Sequence, residues 1–276
     1  MPRYDLHCHS THSDGLLPPA AIVARAAVRG VDILALTDHD EVSGLVEARV
    51  AVAATRMTLV AGTEISASWE RLTIHVIGLG IDPFNVVLAK GLHAIRVGRV
   101  LRARRIADGL AEAGIRGAYE GARKFVTSER LISRTHFARF LVDAGHARDV
   151  KDVFNRFLVR GKPGYVPHAW ATLRDAVGWI TGAGGQAVLA HPGRYQVGRS
   201  GMRRLLAEFR DAGGEAIEVL SPSHTPEQVV AFAGHARVFG LLASGGTDYH
   251  GPGESRMDLG DLPELPAGVV PVWNGW

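Results

Sequence analysis

Short apolar segments that alternate with helical segments constrain the fold of this chain more than any other feature. Seven runs rich in aliphatic and β-branched residues have the length of a buried strand, at residues 4–6, 32–36, 58–61, 72–79, 186–190, 216–220 and 241–243. Between them apolar residues mostly recur at helical spacing, as in the segments that begin near Pro19 and Leu45. The alternation predicts an α/β fold with a parallel sheet, open or closed into a barrel.

The alternation is interrupted between residues 84 and 169, where the pattern predicts helices at 86–114, 135–145 and 149–159. Residues 90–134 hold eleven Lys and Arg against four acids, a net charge of +7 in a chain whose total is +3. We therefore expect a barrel formed by residues 1–83 and 170–276 and a small helical, basic domain at 84–169, called the insertion below. Its charge is typical of a surface that binds phosphate, although a solvated helix face has the same composition.

Composition limits the class of protein. Hydrophobic residues make up 46% of the chain and charged residues 21%, as in a soluble globular protein. Cys8 is the only cysteine, which excludes an intramolecular disulfide and favours a reducing compartment. No apolar run approaches the roughly 18 residues of a membrane span, and the N-terminus lacks an apolar leader. We expect a cytoplasmic protein.

Potential metal ligands recur along the predicted strands. His7 and His9 follow the first strand, and side chains at i and i+2 of an extended backbone point to the same side, so both imidazoles can bind one ion at about 2.1 Å. Asp14 lies a few residues further along, and His75 lies inside the fourth strand. The other candidates follow later strands: His39, Glu64, His191, Asp248 and His250. Each alone has an ordinary explanation, such as a turn, a helix cap or a core histidine. Gathered at one barrel mouth, they would need cations.

Nine ligands are too many for one four-coordinate ion, so the set indicates two or three ions that share a bridging carboxylate. Imidazole and carboxylate ligands without thiolate suit Mn, Fe or Zn. Sites with several such ions commonly activate water for the hydrolysis of phosphate esters. The residues therefore predict a hydrolase that acts on phosphoric ester bonds.

Taken together, these segments resemble the ordered motifs of the PHP (polymerase and histidinol phosphatase) superfamily. The motifs are His7-Cys8-His9, Ser13-Asp14-Gly15, Thr37-Asp38-His39-Asp40, Gly62-Thr63-Glu64, His75, Ala190-His191-Pro192 and Asp248-Tyr249-His250. The resemblance implies a distorted seven-stranded β/α barrel with a trinuclear metal site. By the same resemblance, His7, His9, Glu64 and Asp248 would hold a first ion, His75 and His191 a second that shares Glu64, and Asp14, His39 and His250 a third.

The resemblance also implies the cofactor: three divalent ions, with Mn²⁺ expected before Zn²⁺ or Fe²⁺. A water molecule that bridges two ions at Glu64 would be the nucleophile, and the sequence identifies no general acid. Many superfamily members carry His where this chain has Asp14. The third ion is therefore expected to bind more weakly or to be a harder ion such as Mn²⁺.

The insertion is similar to that of one branch of the superfamily, the TrpH/YciV-like proteins. The similar segments are Ile132-Ser133-Arg134-Thr135-His136-Phe137-Ala138-Arg139 and Gly161-Lys162-Pro163-Gly164-Tyr165-Val166. That branch includes 3′,5′-nucleoside bisphosphate phosphatases and a 5′ to 3′ exoribonuclease, RNase AM, which hold a nucleotide between barrel and insertion. The expected substrate-binding residues are Arg99, Arg102, Arg134, His136, Arg194 and His224, with a surface position as the alternative for Arg99, Arg102, Arg194 and His224.

The resemblance thus implies removal of the 3′-phosphate from nucleoside 3′,5′-bisphosphates. The alternatives are a 5′ to 3′ exoribonuclease acting on short 5′-phosphorylated RNA, histidinol phosphate phosphatase, and a non-catalytic nucleotide or metal sensor. A long RNA track would need aromatic residues along a basic groove, whereas the insertion aromatics mostly fall at core spacing. The expected partners are a small nucleotide or short RNA, with no membrane and no double-stranded DNA.

Overall fold

A nearly closed barrel forms the body of the computed structural model, which describes residues 2–276. In these residues eight strands form one sheet, and seven follow the order β1-β2-β3-β4-β6-β7-β8, while β5 pairs with β3. Leu6 N–H donates a hydrogen bond to Gly245 O (3.2 Å), which joins the two ends of the sheet. The predicted α/β barrel is confirmed. The strands are β1 Tyr4–Asp5, β2 Ile33–Leu36, β3 Thr58–Trp69, β4 Leu72–Leu79, β5 Ala171–Thr172, β6 Gln186–Leu189, β7 Ala216–Leu220 and β8 Leu242–Gly245.

The sheet is not wholly parallel, because β4 runs against both of its neighbours in the barrel, β3 and β6. The prediction of a parallel sheet is wrong at this strand. Glu70, at φ 51°, turns the chain directly back after Trp69, so no crossover helix separates β3 from β4. The resulting hairpin places His75 opposite Ser66 in mid-strand. It also extends β3, so that Glu64 lies inside this strand rather than after it.

Helices cover the outside of the barrel and bury their apolar faces against it, and their ends carry recognisable capping residues. Thr225 Oγ1 accepts a hydrogen bond from Gln228 N–H, Gln228 Oε1 accepts one from Thr225 N–H, and Gly240 ends the same helix at φ 66°. Leu205 and Phe209 are fully buried in the core cluster that also contains Leu189 and Ile217. The outer helices are α1 Pro19–Val28, α2 Gly44–Val52, α7 Leu173–Gly182, α8 Gly198–Asp211 and α9 Pro226–Phe239.

The insertion contains four α-helices between β4 and β5: α3 Val86–Glu112, α4 Ala118–Arg123, α5 Arg134–Asp143 and α6 Val150–Val153. A π-helical turn, Phe154–Leu158, continues α6. Ile106, Phe137 and Leu141 belong to an apolar cluster formed within the insertion. A separate cluster is consistent with the domain boundary at 84–169, which we retain as a proposal. Helix α4 was not predicted.

None of the helices in the described part of the chain combines the length and apolar character that a membrane crossing requires. Cys8 is a free thiol buried next to the barrel core. The cytoplasmic location stays a prediction.

Candidate metal centre and anion pocket

The barrel mouth brings together all nine residues that the sequence suggests as metal ligands. Three groups have ligand atoms within 4.8 Å of one another: His7, His9, Glu64 and Asp248; His39, Glu64 and His75; and His9, Asp14, His39 and His250. His191 joins them through Nε2, which lies 2.9 Å from Glu64 Oε1. Glu64 is the shared member of the first two groups and contacts His191 as well, so it occupies the centre of the cluster.

Unusual backbone conformations turn some of these side chains into the mouth. His191 has φ 25° and Asp248 has φ 48°, values that L-residues rarely adopt. Each costs of the order of 1–3 kcal/mol and persists only where the surroundings enforce it. Both residues follow barrel strands, β6 and β8. The strain therefore falls where strand ends must redirect the chain.

The hydrogen bonds around His7 and His9 leave two nitrogen lone pairs facing each other. His7 Nδ1 lies 2.9 Å from Glu218 Oε1, so it carries the proton and donates. Ser13 Oγ donates to Asp38 Oδ1 (2.6 Å), so its oxygen is free to accept from His9 Nδ1 at 3.4 Å. When both rings are neutral, as metal ligands must be, both Nε2 atoms are unprotonated and lie only 3.1 Å apart, so a proton or a metal ion is needed at this position. A cation between them would remove this repulsion.

Several carboxylate and imidazole atoms at the mouth are buried without a hydrogen bond. Glu64 Oε2 lies 3.0 Å from His39 Nδ1, but neither atom forms a hydrogen bond. Asp14 Oδ1 is buried in the same way and lies 3.3 Å from His250 Nε2. Such atoms are costly unless something binds them. The donor set fits divalent cations, which prefer oxygen and imidazole ligands.

The charges at the mouth shift the pKa values of its residues strongly. Burial alone would raise the pKa of Glu64, but the nearby imidazoles of His39 and His75 hold it well below its usual range. Burial would lower the pKa of His9, but the carboxylates of Asp248 and Glu64, 3.2 and 3.3 Å from its Nε2, raise it to about 10. The carboxylates are therefore ionised and attract positive charge, whether protons or metal ions.

Next to the cluster lies a cavity of about 200 Å³ that is bounded by both barrel and insertion. The barrel contributes Asp14, His39, Glu64, His75, Trp170, Asp248 and His250 to the lining, and the insertion contributes Arg99, Arg102, Ser133, Arg134, Thr135 and Phe154. Arg194 also faces the cavity, where it pairs with Asp248. The metal candidates thus share one cavity with a group of arginines.

Two of these arginines have no acidic partner among the described residues. Arg102 Nε makes one long hydrogen bond to Val166 O (3.3 Å), and burial together with Arg134 and Arg99 lowers its pKa to about 9. Arg134 lies over the ring of Phe154 (5.4 Å), and burial lowers its pKa as well. A buried and a half-buried cation that repel each other and have no acidic partner in the described part of the chain are suited to bind an anion.

A family model described as the PHP domain matches residues 5–211. The chain belongs to the PHP domain family. It is 50% identical over 274 residues to a 3′,5′-nucleoside bisphosphate phosphatase of Chromobacterium violaceum, covering 99% of this chain and 96% of that one. It is 42% identical over 275 residues to the 5′-3′ exoribonuclease Rnm of Escherichia coli, covering 99% and 93%. A solved structure from Bifidobacterium adolescentis, described as a metal-dependent phosphoesterase, superposes with a TM-score of 0.85 at 28% identity, covering 98% and 92%.

Three of the expected substrate residues have other partners in this PHP chain. Arg99 lines the cavity, but Asp40 accepts its hydrogen bonds (Nε to Oδ2, 2.8 Å), so its charge is already balanced. His136 is fully buried and does not line the cavity; its Nδ1 accepts from Ser133 N–H (3.0 Å). His224 donates from Nδ1 to Val219 O (3.0 Å) and accepts at Nε2 from Gly193 N–H (3.2 Å). The Arg99–Asp40 pair anchors α3, and His136 and His224 hold backbone segments in place.

Sequence reasoning missed Glu218, which supports two of the metal candidates. One carboxylate oxygen accepts from His7 Nδ1 (2.9 Å), and the other accepts from the backbone N–H of His191 (2.5 Å). Glu218 is fully buried in mid-β7. A single acid inside an otherwise apolar strand, Ala216-Ile217-Glu218-Val219-Leu220, was the available signal, because an unpaired charge is rarely placed there.

Proposed function

We propose that this PHP protein is a metal-dependent phosphatase that removes the 3′-phosphate of nucleoside 3′,5′-bisphosphates, leaving a nucleoside 5′-monophosphate and inorganic phosphate. The observation that carries the proposal is a single cavity with metal candidates on one wall and, on another, Arg102 and Arg134, for which the described residues provide no acidic partner. A substrate with two phosphates meets both requirements. The 50% identity to the phosphatase of Chromobacterium violaceum supports the same substrate class.

Three divalent ions, with Mn²⁺ preferred, would be held as the sequence suggests. His7, His9, Glu64 and Asp248 would bind the first, Glu64, His75 and His191 the second, and Asp14, His39 and His250 the third. When bound, such ions act as Lewis acids and lower the pKa of a water ligand to about 7. Asp14 contributes a carboxylate oxygen, which is a harder ligand than an imidazole nitrogen, and harder ligands favour Mn²⁺.

The chain's own residues would orient the substrate for this hydrolysis. Arg102 and Arg134 would bind the 5′-phosphate, and the guanidinium geometry of Arg134 allows two hydrogen bonds to it. Arg194, held by Asp248 at the cavity edge, would contact the 3′-phosphate that is removed. Water adds to phosphorus, the bond from phosphorus to the 3′-oxygen breaks, and a proton passes to that oxygen. Fixing both phosphates supplies the positioning on which phosphoryl transfer depends.

The test measures phosphate release by Mn²⁺-loaded protein from adenosine 3′,5′-bisphosphate and from adenosine 3′-monophosphate. Arg134→Met should raise KM for the bisphosphate at least tenfold and leave kcat/KM for the 3′-monophosphate within about twofold, because only the bisphosphate carries the bound 5′-phosphate. Arg105→Met, a neutralisation at an exposed position of α3, is the matched control. Absence of phosphate release from every nucleoside bisphosphate would refute the proposal.

A 5′ to 3′ exoribonuclease acting on short RNA is the second candidate, favoured by the 42% identity to Rnm of Escherichia coli. The same arginines would hold the 5′-phosphate of a short strand, and the bond cleaved would be a phosphodiester. Hydrolysis of a 5′-phosphorylated trinucleotide faster than of the bisphosphate would favour this activity.

Histidinol phosphate carries one phosphate and would leave Arg102 and Arg134 unpaired, so we do not favour histidinol phosphate as the substrate. A sensor would bind nucleotide without turnover.

A further inference from the structure

Ser133 joins the insertion to one of the metal candidates through a single hydroxyl group. This residue caps the N-terminus of α5, where its Oγ accepts from Thr135 N–H (3.1 Å). The same Oγ donates to Asp14 Oδ2 at 3.1 Å. Because a hydroxyl has one proton, that proton is committed to Asp14. Ser133 is buried, so water does not easily replace it.

The bond from Ser133 leaves the other oxygen of Asp14 available to an ion. Asp14 Oδ1 is buried, forms no hydrogen bond, and lies 3.3 Å from His250 Nε2 and 3.8 Å from His39 Nε2. The arrangement therefore fixes the plane of the Asp14 carboxylate and selects which oxygen faces the two imidazoles. Asp14, His39 and His250 are called the third site below.

A second contact from α5 holds the backbone of the same residue. Arg139 Nη2 donates to Asp14 O (2.6 Å), and its guanidinium forms two further hydrogen bonds to Glu254 (2.8 and 2.7 Å). Glu254 belongs to the loop that follows His250. One helix thus braces both the Asp14 segment and the His250 segment of the third site.

The first turn of α5 also faces the anion pocket, because Ser133, Arg134 and Thr135 line the cavity. A shift of this turn when an anion binds at Arg134 would move the Ser133 hydroxyl, and with it the Asp14 carboxylate. The anion pocket, meaning the part of the cavity lined by Arg102 and Arg134, is therefore linked to the third site through two adjacent residues: Arg134 lines the pocket, and Ser133 contacts Asp14.

We propose that Ser133 is a positioning residue that couples cation binding at the third site to anion binding at Arg134, by holding Asp14 Oδ1 toward His39 and His250. This inference rests on the proposed function for the identity of the anion. Coupling of this kind is reciprocal: the anion tightens the ion, and the ion tightens the anion by the same factor. Residues that orient metal ligands typically change metal affinity by about 10–100-fold when removed.

The experiment measures bound Mn²⁺ per chain against free Mn²⁺ by equilibrium dialysis and elemental analysis, with and without adenosine 5′-monophosphate. In Ser133→Gly the weakest-bound ion should lose at least tenfold in affinity, while the other ions are unchanged. Adenosine 5′-monophosphate should tighten that ion at least fivefold in the unaltered protein and not in the variant. Glycine is chosen because it costs a helix cap only a few tenths of a kcal/mol, so α5 persists.

Two further variants separate this coupling from a general loss of structure. Ser133→Thr retains the hydroxyl and should restore both effects. Asn85 caps α3: its side chain accepts from Val87 N–H and Leu88 N–H and donates to Gly182 O. Asn85→Gly removes this uncharged cap far from the third site and should change neither the Mn²⁺ affinity nor its response to adenosine 5′-monophosphate. Equal Mn²⁺ affinity in Ser133→Gly and the unaltered protein, or tightening by adenosine 5′-monophosphate in both, would overturn the inference.

Failure of the inference is distinguishable from failure of the proposed function. Normal phosphate release from the bisphosphate with unaltered Mn²⁺ binding in Ser133→Gly would overturn the coupling and leave the phosphatase in place. Binding and coupling as expected, without phosphate release from any bisphosphate, would support the coupling and reject the phosphatase.

Discussion

At the scale of single residues, the chemistry of this site depends on pairs in which one side chain fixes the orientation of another. His7 is an example, because its Nε2 is free for an ion only while Nδ1 donates to Glu218 (2.9 Å). The spacing of His7 and His9 predicts a shared metal ion, but nothing in that spacing identifies Glu218. The partner comes from β7, more than 200 positions later, and only the folded barrel brings the two together.

Glu218→Gln should lower the affinity for divalent metal by about 10–100-fold, because the amide is a weaker acceptor for His7 Nδ1–H and for the backbone of His191. Bound Mn²⁺ per chain after dialysis against dilute Mn²⁺ measures the effect. Glu215→Gln, which neutralises an exposed acid just before β7, is the matched control and should bind metal normally. Normal metal content in Glu218→Gln would show that the carboxylate is dispensable.

At the scale of elements, most strand positions were predictable to within one or two residues, since buried strands are apolar and bounded by polar turns, but β3 continues to Trp69 instead of ending near residue 61, and the short β5 was not predicted. The direction of β4 was not, because an apolar run has the same pattern whether its strand is parallel or antiparallel. Residues 149–159 were predicted as one helix, yet only Val150–Val153 is α-helical and Phe154–Leu158 is π-helical. Apolar spacing near 3.6 does not resolve so small a change in winding.

The position of α3 depends on a buried ion pair with the barrel. Arg99 donates to Asp40 and to Ser66 Oγ (2.9 Å), and Asp40 also accepts from Ser66 N–H (2.7 Å). Asp40 follows His39 directly, so this pair ties the helix that carries Arg102 to a loop of the metal cluster. The i, i+3 spacing of Arg99 and Arg102 predicts one helix face, but not that one guanidinium is neutralised and the other is not.

Arg99→Ala should destabilise the protein by about 3–5 kcal/mol, because it leaves the Asp40 carboxylate buried without its cation. Thermal unfolding monitored by circular dichroism gives the change in Tm. Lys90→Ala, at an exposed position of the same helix, is the control and should alter stability by less than about 0.5 kcal/mol. An equal Tm for both variants would mean that α3 does not depend on this pair.

At the scale of the whole molecule, strand after strand sends an ionisable side chain to one end of the barrel. The core clusters are apolar throughout, so they stabilise the barrel wall independently of this end. At the mouth, carboxylates and imidazoles are buried together, and their mutual fit requires positive charge. Order along the chain therefore predicted most of the cluster, since residues that follow successive parallel strands converge at one end. Glu64 and His75 lie inside β3 and the antiparallel β4, and neither their placement nor the network that fixes each ligand follows from a sequence pattern.

Divalent metal should raise the stability of the folded protein, and the gain should increase with pH. Without metal, Asp248 and Glu64 outweigh the effect of burial and raise the pKa of His9 to about 10. A protonated His9 then supplies part of the positive charge that bound metal ions would otherwise provide. Because this folded-state pKa lies above the ordinary value of 6.5, that stabilisation is complete below pH 6.5 and is lost as the pH rises toward 10.

Metal binding has the opposite dependence, because an imidazole ligand must be unprotonated, so the ions bind more tightly as the pH rises. One ion at 100 times its Kd adds about 2.7 kcal/mol, which corresponds to roughly 5–10 °C in Tm for a chain of this size. The Tm difference between Mn²⁺-loaded and chelator-treated protein should therefore widen between about pH 6.5 and pH 8. Scanning fluorimetry across this range measures it, with His235→Gln, outside the cluster, as a variant that should leave the widening intact. A difference that stays constant or narrows would show that the mouth is not held together by cations that compete with protons at its histidines.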